Sequence, residues 1–318
     1  MGIGPLVHYL AKPFPSYTFE EFQSKLSENP PHFGFVVLGN TCIDADDDTQ
    51  HNIHVYQKLL DLCATIHPRP SFLFHLGDIG MLPGDMKAWA KLLTLSRPFV
   101  VPDALDSLEQ NNDGFLLTLP GELDVTDRDS QKAYEQLFPY AAHKVYYSFN
   151  FRGVHFVSLD SETVDRGIAS RYFGWNRYKN RIIGEQLEWL SKDLAEAAGM
   201  PIFVMIHKPF FPPSYGQHEG YCLDQYYFER ERVHGLLKKH SVKAVFSAHE
   251  PICYCARVDG IHYFISGGAG KGPYAAERLG GYHHLVYVAF YQHNKAVCYA
   301  LDTAGKVRLE LILEDSDK

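Results

Sequence analysis

Short apolar runs alternate with amphipathic segments along the first two thirds of the chain. Each run is bounded by glycine, proline or polar residues, which is typical of strands buried on both faces. Between the runs, apolar residues recur at helical spacing, as in residues 50–67, where Ile53, Tyr56 and Leu59 share one face. This alternation predicts an α/β fold. The predicted strands of this region cover residues 33–38, 72–76, 115–119, 145–149, 154–159, 202–206 and 242–246.

The last third of the chain is rich in predicted strands, at residues 261–265, 285–291, 296–301 and 307–313. Helices are predicted at residues 50–67, 86–95, 130–138, 185–198 and 226–240, and Thr18 is a predicted cap of a short helix before them. No repeat, low-complexity tract or linker divides the chain. We therefore expect one domain over residues 1–318, with residues 1–32 as an N-terminal extension and two sheets packed between outer helices.

Composition narrows the classes of function. The chain has 318 residues, a net charge of −8 and a pI of about 6.1, which argue against a general surface for nucleic acid or anionic membranes. The six cysteines show no CxxC pattern, so a disulfide scaffold is not expected. There is no signal-peptide pattern and no apolar stretch long enough to span a bilayer. We expect a reducing, cytoplasmic setting with neither a membrane span nor a nucleic-acid partner.

Five predicted strands end in side chains that can bind a metal ion. The carboxyl ends of neighbouring parallel strands meet at one edge of a sheet, where α/β folds place their ligands. Carboxylates and imidazoles are ligands of Zn²⁺, Mn²⁺ and Fe²⁺. The pattern therefore predicts a metal site. The residues at these ends are Asn40 with Cys42, Asp78, Glu122, His207, and His249 with Glu250.

The order of these strand ends resembles the calcineurin-like metallophosphoesterase superfamily. Its pattern is Asp-x-His, Gly-Asp, Gly-Asn-His-Asp, His and Gly-His-x-His, each after a strand. The resemblance covers roughly residues 33–300 and implies a four-layer α/β/β/α sandwich with two mixed sheets. The segments that carry it are Leu76-Gly77-Asp78, Pro120-Gly121-Glu122-Leu123-Asp124, Ile206-His207-Lys208-Pro209, Ala248-His249-Glu250-Pro251 and the glycine-rich residues 266–274.

The resemblance also implies where two metals would bind and why one of these sites is degenerate. In the family, the Gly-Asp aspartate bridges both metals, and it corresponds to Asp78. The other first-metal positions are Asn40, Cys42 and Pro251. A neutral amide is a weaker ligand than a carboxylate, and the proline side chain has no ligand atom. We therefore do not expect a two-metal centre.

The second metal position keeps four ligands, which the resemblance assigns to Asp78, Glu122, His207 and His249. Two carboxylates and two imidazoles can hold one divalent metal, namely zinc, manganese or iron. The alternative is that hydrogen bonds alone hold these four residues together. In that case, two close carboxylates would raise the pKa of one of them.

Catalysis loses more than metal binding does. Leu123 stands where the family has its catalytic histidine, and general acid help is typically worth ~10²–10⁴ in rate. Activation of the attacking water between two metals is lost as well. We expect no confident catalytic residue, and a scaffold that binds a phosphorylated or anionic ligand or a protein partner. The alternative is a mononuclear metal-dependent phosphoester hydrolase.

Two loops, residues 161–183 and 208–225, are expected near the mouth of the site. The first interleaves cations with aromatic residues, so it is either an anion-binding rim or a packed loop whose arginines pair with local acids. The rim residues are Arg166, Arg171, Arg177, Lys179 and Arg181. His218 in the second loop is a candidate replacement ligand.

Residues 44–48 form an acidic loop, which is either solvated or able to recruit a cation. Cys42, at the exit of the first predicted strand, is a candidate nucleophile.

Overall fold

The structure, a computed structural model, describes residues 7–8, 16–109, 114–141, 144–165 and 176–313. Within these ranges the chain forms two large mixed sheets, one two-stranded sheet and six α-helices. The predicted α/β fold, with two mixed sheets flanked by helices, is confirmed. The helices are α1 (Phe19–Glu28), α2 (His51–Thr65), α3 (Met86–Leu95), α4 (Arg128–Leu137), α5 (Gly184–Glu196) and α6 (Tyr227–Lys239).

Fifteen strands make up the sheets in the described ranges. In chain order they are β1 (Val7–His8), β2 (Phe33–Leu38), β3 (Phe72–His75), β4 (Phe115–Thr118), β5 (Tyr147–Phe151), β6 (Val154–Leu159), β7 (Glu162–Asp165), β8 (Asn176–Lys179), β9 (Ile202–Ile206), β10 (Ala244–Ser247), β11 (Cys253–Val258), β12 (Ile261–Ser266), β13 (His284–Phe290), β14 (Ala296–Asp302) and β15 (Val307–Leu313).

The strand order brings the polar strand ends together. One sheet has the order β15-β14-β13-β2-β3-β4, in which β2, β3 and β4 are parallel. The other has the order β1-β11-β12-β10-β9-β6-β5, in which β9 and β10 are parallel neighbours. Parallel neighbours end at the same edge of a sheet. We call the residues directly after the carboxyl end of a strand its exit. The exits of β2, β3 and β4 therefore share one edge of their sheet, and the exits of β9 and β10 share one edge of the other sheet.

Phenylalanine side chains fill the space between the two large sheets. Phe35 on β2 meets the rings of Phe156 on β6 and Phe203 on β9 at centroid distances of 5.3 and 5.5 Å. Phe72 on β3 lies 5.1 Å from the same Phe156 ring, in an edge-to-face arrangement. Such aromatic pairs add about 0.5–1.5 kcal/mol each beyond the apolar area they bury. This aromatic layer sets the spacing of the sheets and hence of their edges.

Strand side chains on the opposite face of each large sheet point outwards to the helices. On the seven-stranded sheet, Val157 and Val204 share an apolar cluster with leucines of α5 and α6. On the six-stranded sheet, Phe22 of α1 packs edge-on against Tyr287 and Tyr299 at 5.7 and 5.1 Å. Because each buried strand has one face towards the other sheet and one towards helices, its sequence is mostly apolar. These packing faces produce the four layers.

The predicted element bounds are close to the observed ones, with two informative differences. The strand predicted at residues 145–149 runs instead over Tyr147–Phe151, because Arg152 and Gly153, with φ of 49° and 79°, form the turn. Positive φ at both central residues is the geometry of a tight hairpin. The strand Cys253–Val258 was not predicted, and it is organised by antiparallel pairing with β12. The predicted cap is confirmed, since the Thr18 hydroxyl accepts from the Glu21 N–H.

No helix within the described ranges is both long enough and apolar enough to cross a membrane. All six cysteines lie in these ranges, and each is free and buried. The loop expected at residues 161–183 contains the two-stranded sheet of β7 and β8.

Truncation of the shared aromatic ring tests the inter-sheet packing. Phe156→Ala should lower the free energy of unfolding by about 3–5 kcal/mol, because it leaves a cavity between the sheets. Urea unfolding followed by far-UV circular dichroism measures this loss. Phe228→Ala is the matched control, since that ring is 85% exposed and should change stability little. Equal effects of the two substitutions would contradict this account of the core.

Candidate metal centre

Three of the strand exits share an unusual backbone conformation. Asn40 after β2, Asp78 after β3 and His249 after β10 have φ values of 59°, 53° and 63°. Left-handed backbone is uncommon for residues other than glycine and is least unfavourable for asparagine and aspartate. Each exit thus turns sharply and presents its side chain at the sheet edge. Strain of this kind clusters at functional sites.

The exits of β3 and β4 lie in direct contact. A Cβ on Gly77 would lie 2.3 Å from the backbone nitrogen of Gly121, and a Cβ on Gly121 would lie 2.3 Å from the backbone nitrogen of Asp78. No side chain fits at either position, so both glycines are needed for the close approach. This contact places the Asp78 carboxylate beside the loop that follows β4.

The buried carboxylate of Asp124 holds this contact together. One oxygen accepts the backbone N–H groups of Asp78 and Gly121 at 2.8 and 2.7 Å. The other accepts the backbone N–H of Ile79 at 3.0 Å and the indole N–H of Trp89 at 3.3 Å. Sequence reasoning assigned Asp124 no role, although its place at the end of the Pro-Gly-Glu-Leu-Asp segment was a usable signal. It organises the backbone on which Asp78 sits.

Asp78, His207 and His249 form a compact, buried group. His207 Nε2 lies 3.4 Å from Asp78 Oδ1 and 3.3 Å from His249 Nδ1. One ligand atom from each of the three lies within 4.8 Å of the other two. His207 Nδ1 contacts the carbonyl of Leu76 at 2.7 Å, so Nδ1 carries a proton and Nε2 faces the group. The structure therefore brings three of the four predicted ligands together.

Their electrostatics follow from burial and mutual contact. Burial raises the pKa of Asp78, but the charge and hydrogen bond of His207 outweigh it and hold that pKa well below its ordinary value. Burial lowers the pKa of His207, but Asp78 raises it to a net value above the ordinary one. Burial and the neighbouring charge of His207 hold the pKa of His249 well below its ordinary value. Asp78 and His207 therefore stabilise each other's charged forms, whereas burial disfavours the charged form of His249.

The spacing of this group also fits a divalent metal. Two ligands bound to a tetrahedral zinc at about 2.0–2.1 Å are separated by about 3.3 Å. His207 Nε2 lies 3.3 Å from His249 Nδ1 and 3.4 Å from Asp78 Oδ1, and both distances match this value. Nδ1 of His207 donates to the Leu76 carbonyl and faces away from the group, which leaves Nε2 as the nitrogen that a metal can bind. Asp78, His207 and His249 can therefore supply three ligands of one metal.

Glu122, the fourth predicted ligand, is engaged elsewhere. One carboxylate oxygen lies 2.9 Å from the ammonium of Lys208, and the other lies 3.9 Å from His249 Nδ1. The side chain is 31% exposed, whereas the group of three is almost fully buried. Burial raises the pKa of Glu122, but Lys208 outweighs it and the net pKa is lowered. Among the residues that the structure describes, Glu122 is not part of the compact group.

Lys208 is the main site residue that sequence reasoning missed. Its side chain is 3% exposed, and its ammonium also contacts the Glu162 carboxylate at 2.8 Å and the Asn180 carbonyl oxygen at 2.6 Å. Glu162 itself is 1% exposed. The signal available was the position directly after His207 in a strand exit.

The first-metal positions are occupied by groups with other roles. The Asn40 amide oxygen accepts the backbone N–H of His249 at 3.1 Å and so joins the exits of the two sheets. Burial raises the pKa of the Cys42 thiol far above its ordinary range, and Asp78 adds to this, so Cys42 is a thiol and not a thiolate. This argues against the candidate role of Cys42 as a nucleophile. Pro251 is buried in the bend that follows β10.

Leu123 offers no proton beside the group. Its backbone N–H donates to Asp78 Oδ1 at 3.2 Å, which places the residue next to the compact group. The side chain is apolar and partly exposed. It can exclude water from one side of the site, but it cannot protonate a leaving group.

His218 packs over the centre without joining it. Its ring centroid is 4.3 Å from that of His249, and its Nδ1 is 3.4 Å from a carboxylate oxygen of the buried Glu250. Glu250 also accepts the backbone N–H groups of Gln217 and His218. Among the described residues, His218 is outside the compact group of three. It covers the ring of His249, and nothing here makes it a ligand.

The predicted rim is only partly within the described residues. Arg166 and Arg171 lie outside them, and Arg177 lies on β8. Lys179 is exposed, whereas Arg181 forms two hydrogen bonds with the Glu229 carboxylate. The Arg181 charge is thus matched by a local acid.

The acidic loop at residues 44–48 has partners on α3. Asp46 pairs with Lys87 at 2.9 Å, and Asp48 pairs with Lys91. These contacts agree with a solvated acidic loop and give no indication of a bound cation.

Comparison with known proteins adds the family context. A family model described as calcineurin-like phosphoesterase matches residues 48–253. Purple acid phosphatase PPD1 from yellow lupin (Lupinus luteus) seeds is a similar solved structure, with a TM-score of 0.64 and 13% identity. The match covers 88% of this chain and 53% of the lupin chain, so this chain spans about half the length of that protein.

A second similar structure is GAP50, described as the anchor in the inner membrane complex of Plasmodium. It has a TM-score of 0.58 and 13% identity, and the match covers 90% of each chain. At these identities the similarity shows the fold alone. Curated protein sequences gave no significant match.

The role of Asp124 can be tested by a single change. Asp124→Asn places an NH₂ group against two N–H donors in either orientation of the amide, which should cost about 2–4 kcal/mol of unfolding free energy. Urea denaturation measures the cost. Asp129→Asn is the matched control, because that carboxylate is 95% exposed and should show little change. A stability for Asp124→Asn equal to that of the control would show that the four hydrogen bonds do not organise the site.

Proposed function

Because this chain belongs to the calcineurin-like phosphoesterase family, we propose that it uses the family's fold as a binding scaffold and has lost most of the family's catalytic chemistry. One observation carries the proposal. Asn40, at a first-metal position, uses its amide oxygen for a structural hydrogen bond to the backbone of His249. At the other two first-metal positions, the Cys42 thiol is protonated and the Pro251 side chain has no ligand atom.

One divalent metal, zinc, manganese or iron, fits the remaining face of the site. In this proposal Asp78, His207 and His249 hold it, and the family is metal-dependent. A metal there would supply a positive charge that attracts an anionic ligand. The residues of this chain orient that charge, since the Leu76 carbonyl fixes the His207 ring and Asp124 fixes the backbone of Asp78. Hydrogen bonds from neighbouring groups to metal ligands hold those ligands in position.

The proposed ligand is a phosphorylated or other anionic group, carried by a small molecule or by a protein partner. Leu123 lies beside Asp78 and its side chain has no proton to give, so a bound phosphoester would be held without efficient cleavage. GAP50, which has a similar fold, is described as an anchor, and a binding role of this kind is proposed for the present chain. The net charge of −8 makes nucleic acid a poor candidate.

The free cysteines support a cytoplasmic location as part of the same proposal. Six buried thiols without a disulfide are typical of a reducing compartment.

A mononuclear metal-dependent phosphoester hydrolase is the second candidate. It is favoured by the metal-like spacing of Asp78, His207 and His249. A site with three protein ligands and an open position is the usual arrangement of a catalytic metal. The two candidates differ in whether a bound phosphoester is cleaved.

Turnover assays separate them. With added Mn²⁺, the wild-type chain should hydrolyse p-nitrophenyl phosphate and bis-p-nitrophenyl phosphate no faster than Asp78→Ala, because both lack a second metal and a proton donor. Release of p-nitrophenolate measures the rate. Robust metal-dependent turnover that disappears in Asp78→Ala would exclude the binding role and establish the hydrolase.

Metal stoichiometry tests the proposed ligands. Protein dialysed against Mn²⁺ or Zn²⁺ without chelator should retain about one metal per chain, because three ligands are preformed. His249→Ala should lose most of it, since one of three ligands is removed. Elemental analysis gives the count, and His54→Ala is the control because His54 is exposed on α2. Two metals per chain, or an unchanged count in His249→Ala, would overturn the assignment.

A further inference from the structure

The ammonium of Lys208 has three oxygen neighbours, as many as it has protons. They are the carboxylates of Glu122 at 2.9 Å and Glu162 at 2.8 Å, and the amide oxygen of Asn180 at 2.6 Å. An ammonium has three N–H donors and no acceptor. These contacts engage the Lys208 ammonium with groups of the protein itself. It is a fixed internal cation at the edge of the metal group.

The network also holds Lys208 firmly in place. Glu162 is 1% exposed on β7, and Asn180 donates from its amide nitrogen to Gln225 at 2.5 Å. Burial of a lysine or of a carboxylate is costly unless each has a partner. Withdrawal of the Lys208 ammonium would leave Glu162 buried without that charge partner. The ammonium thus stays beside Glu122 for structural reasons that do not involve the metal group.

Glu122 lies between two competing cationic sites. One oxygen is bound by Lys208, while the other is only 3.9 Å from the metal-facing Nδ1 of His249. The side chain is 31% exposed and rotates about three bonds, so a change of rotamer can carry the carboxylate towards His249. A carboxylate cannot give its full charge to both partners at once.

We propose that Lys208 competes with a divalent metal for Glu122 and so limits the metal to three protein ligands, Asp78, His207 and His249. This inference rests on the proposed one-metal site. Its consequence is an open coordination position on the side of Glu122, which an external oxyanion such as phosphate can fill. Lys208 thereby makes the site a receptor for an anionic ligand and prevents a closed four-ligand metal site.

The test is a double-mutant cycle on metal affinity. Lys208→Met removes the ammonium with similar side-chain volume, and Glu162→Gln is introduced with it so that the buried Glu162 carboxylate does not lose this cation. In this Lys208→Met/Glu162→Gln background, Glu122 is free to bind the metal. Isothermal titration calorimetry should show an Mn²⁺ affinity at least about tenfold higher than that of the Glu162→Gln control. This is within the range by which residues that contact metal ligands change metal affinity.

The fourth variant of the cycle identifies the cause of any gain in Mn²⁺ affinity. Adding Glu122→Gln to the Lys208→Met/Glu162→Gln background should abolish the gain, whereas Glu122→Gln in the Glu162→Gln control should change affinity much less. Additive effects of the Lys208 and Glu122 substitutions would show that loss of a nearby positive charge, and not release of Glu122, is responsible, and would overturn the proposal. Equal affinity of Lys208→Met/Glu162→Gln and Glu162→Gln would overturn it as well. Circular dichroism confirms that each variant is folded.

Inorganic phosphate provides an independent readout. With Mn²⁺ bound, the Glu162→Gln control should bind phosphate, and Lys208→Met/Glu162→Gln should bind it at least about tenfold more weakly because Glu122 fills the open position. The paramagnetic broadening of the ³¹P signal by Mn²⁺ reports this binding. Unchanged phosphate affinity contradicts the inference. Failure of the proposed function would instead appear as hydrolytic turnover by the wild type, so the two failures are distinguishable.

Discussion

The four hydrogen bonds accepted by the Asp124 carboxylate are the constraint on which the candidate centre depends. They tie the exit of β3 to the exit of β4, with two N–H donors on each carboxylate oxygen. The left-handed backbone of Asp78 would be unfavourable in isolation, and these bonds hold it in place. The direction of the Asp78 carboxylate, and therefore its contact with His207, follows from this anchoring.

Charge compensation is the second principle of the site. Three carboxylates of the site face basic side chains of the protein, since His207 faces Asp78 and Lys208 faces both Glu122 and Glu162. A divalent metal held by Asp78 and His207 would leave the contacts of Lys208 in place. Burial of a charge costs several kcal/mol unless an ion pair or hydrogen bonds compensate it. The arrangement of partners therefore decides which carboxylates remain available to a metal.

The fold and the chemistry depend on different residues. Sheet spacing is set by rings such as Phe35 and Phe156, which lie within the strands, whereas the candidate ligands lie just beyond the strand ends. The residues at the strand exits, such as Leu123 and Pro251, are not part of this inter-sheet packing. The fold therefore places few constraints on the chemistry of the exits. Fold alone is consequently weak evidence for activity.

The sequence by itself determined the layers and the neighbourhood of the site. Apolar runs of strand length and helical periodicity depend on local pattern, so helix α3 and strands β6, β9 and β15 begin and end where the sequence predicts. The convergence of the polar strand ends followed from parallel strand order. The resemblance to a known family supplied the four expected ligands, of which the structure groups Asp78, His207 and His249.

Only the tertiary structure decided the partners of the charged groups. A lysine in a strand exit reads as an exposed cation, because lysine is seldom buried, and no local pattern reveals that Lys208 meets Glu162 and Asn180 from another part of the chain. The engagement of Glu122 away from the metal group follows from that contact. Distances between residues far apart in sequence arise from packing, and the chemistry of this site depends on those distances.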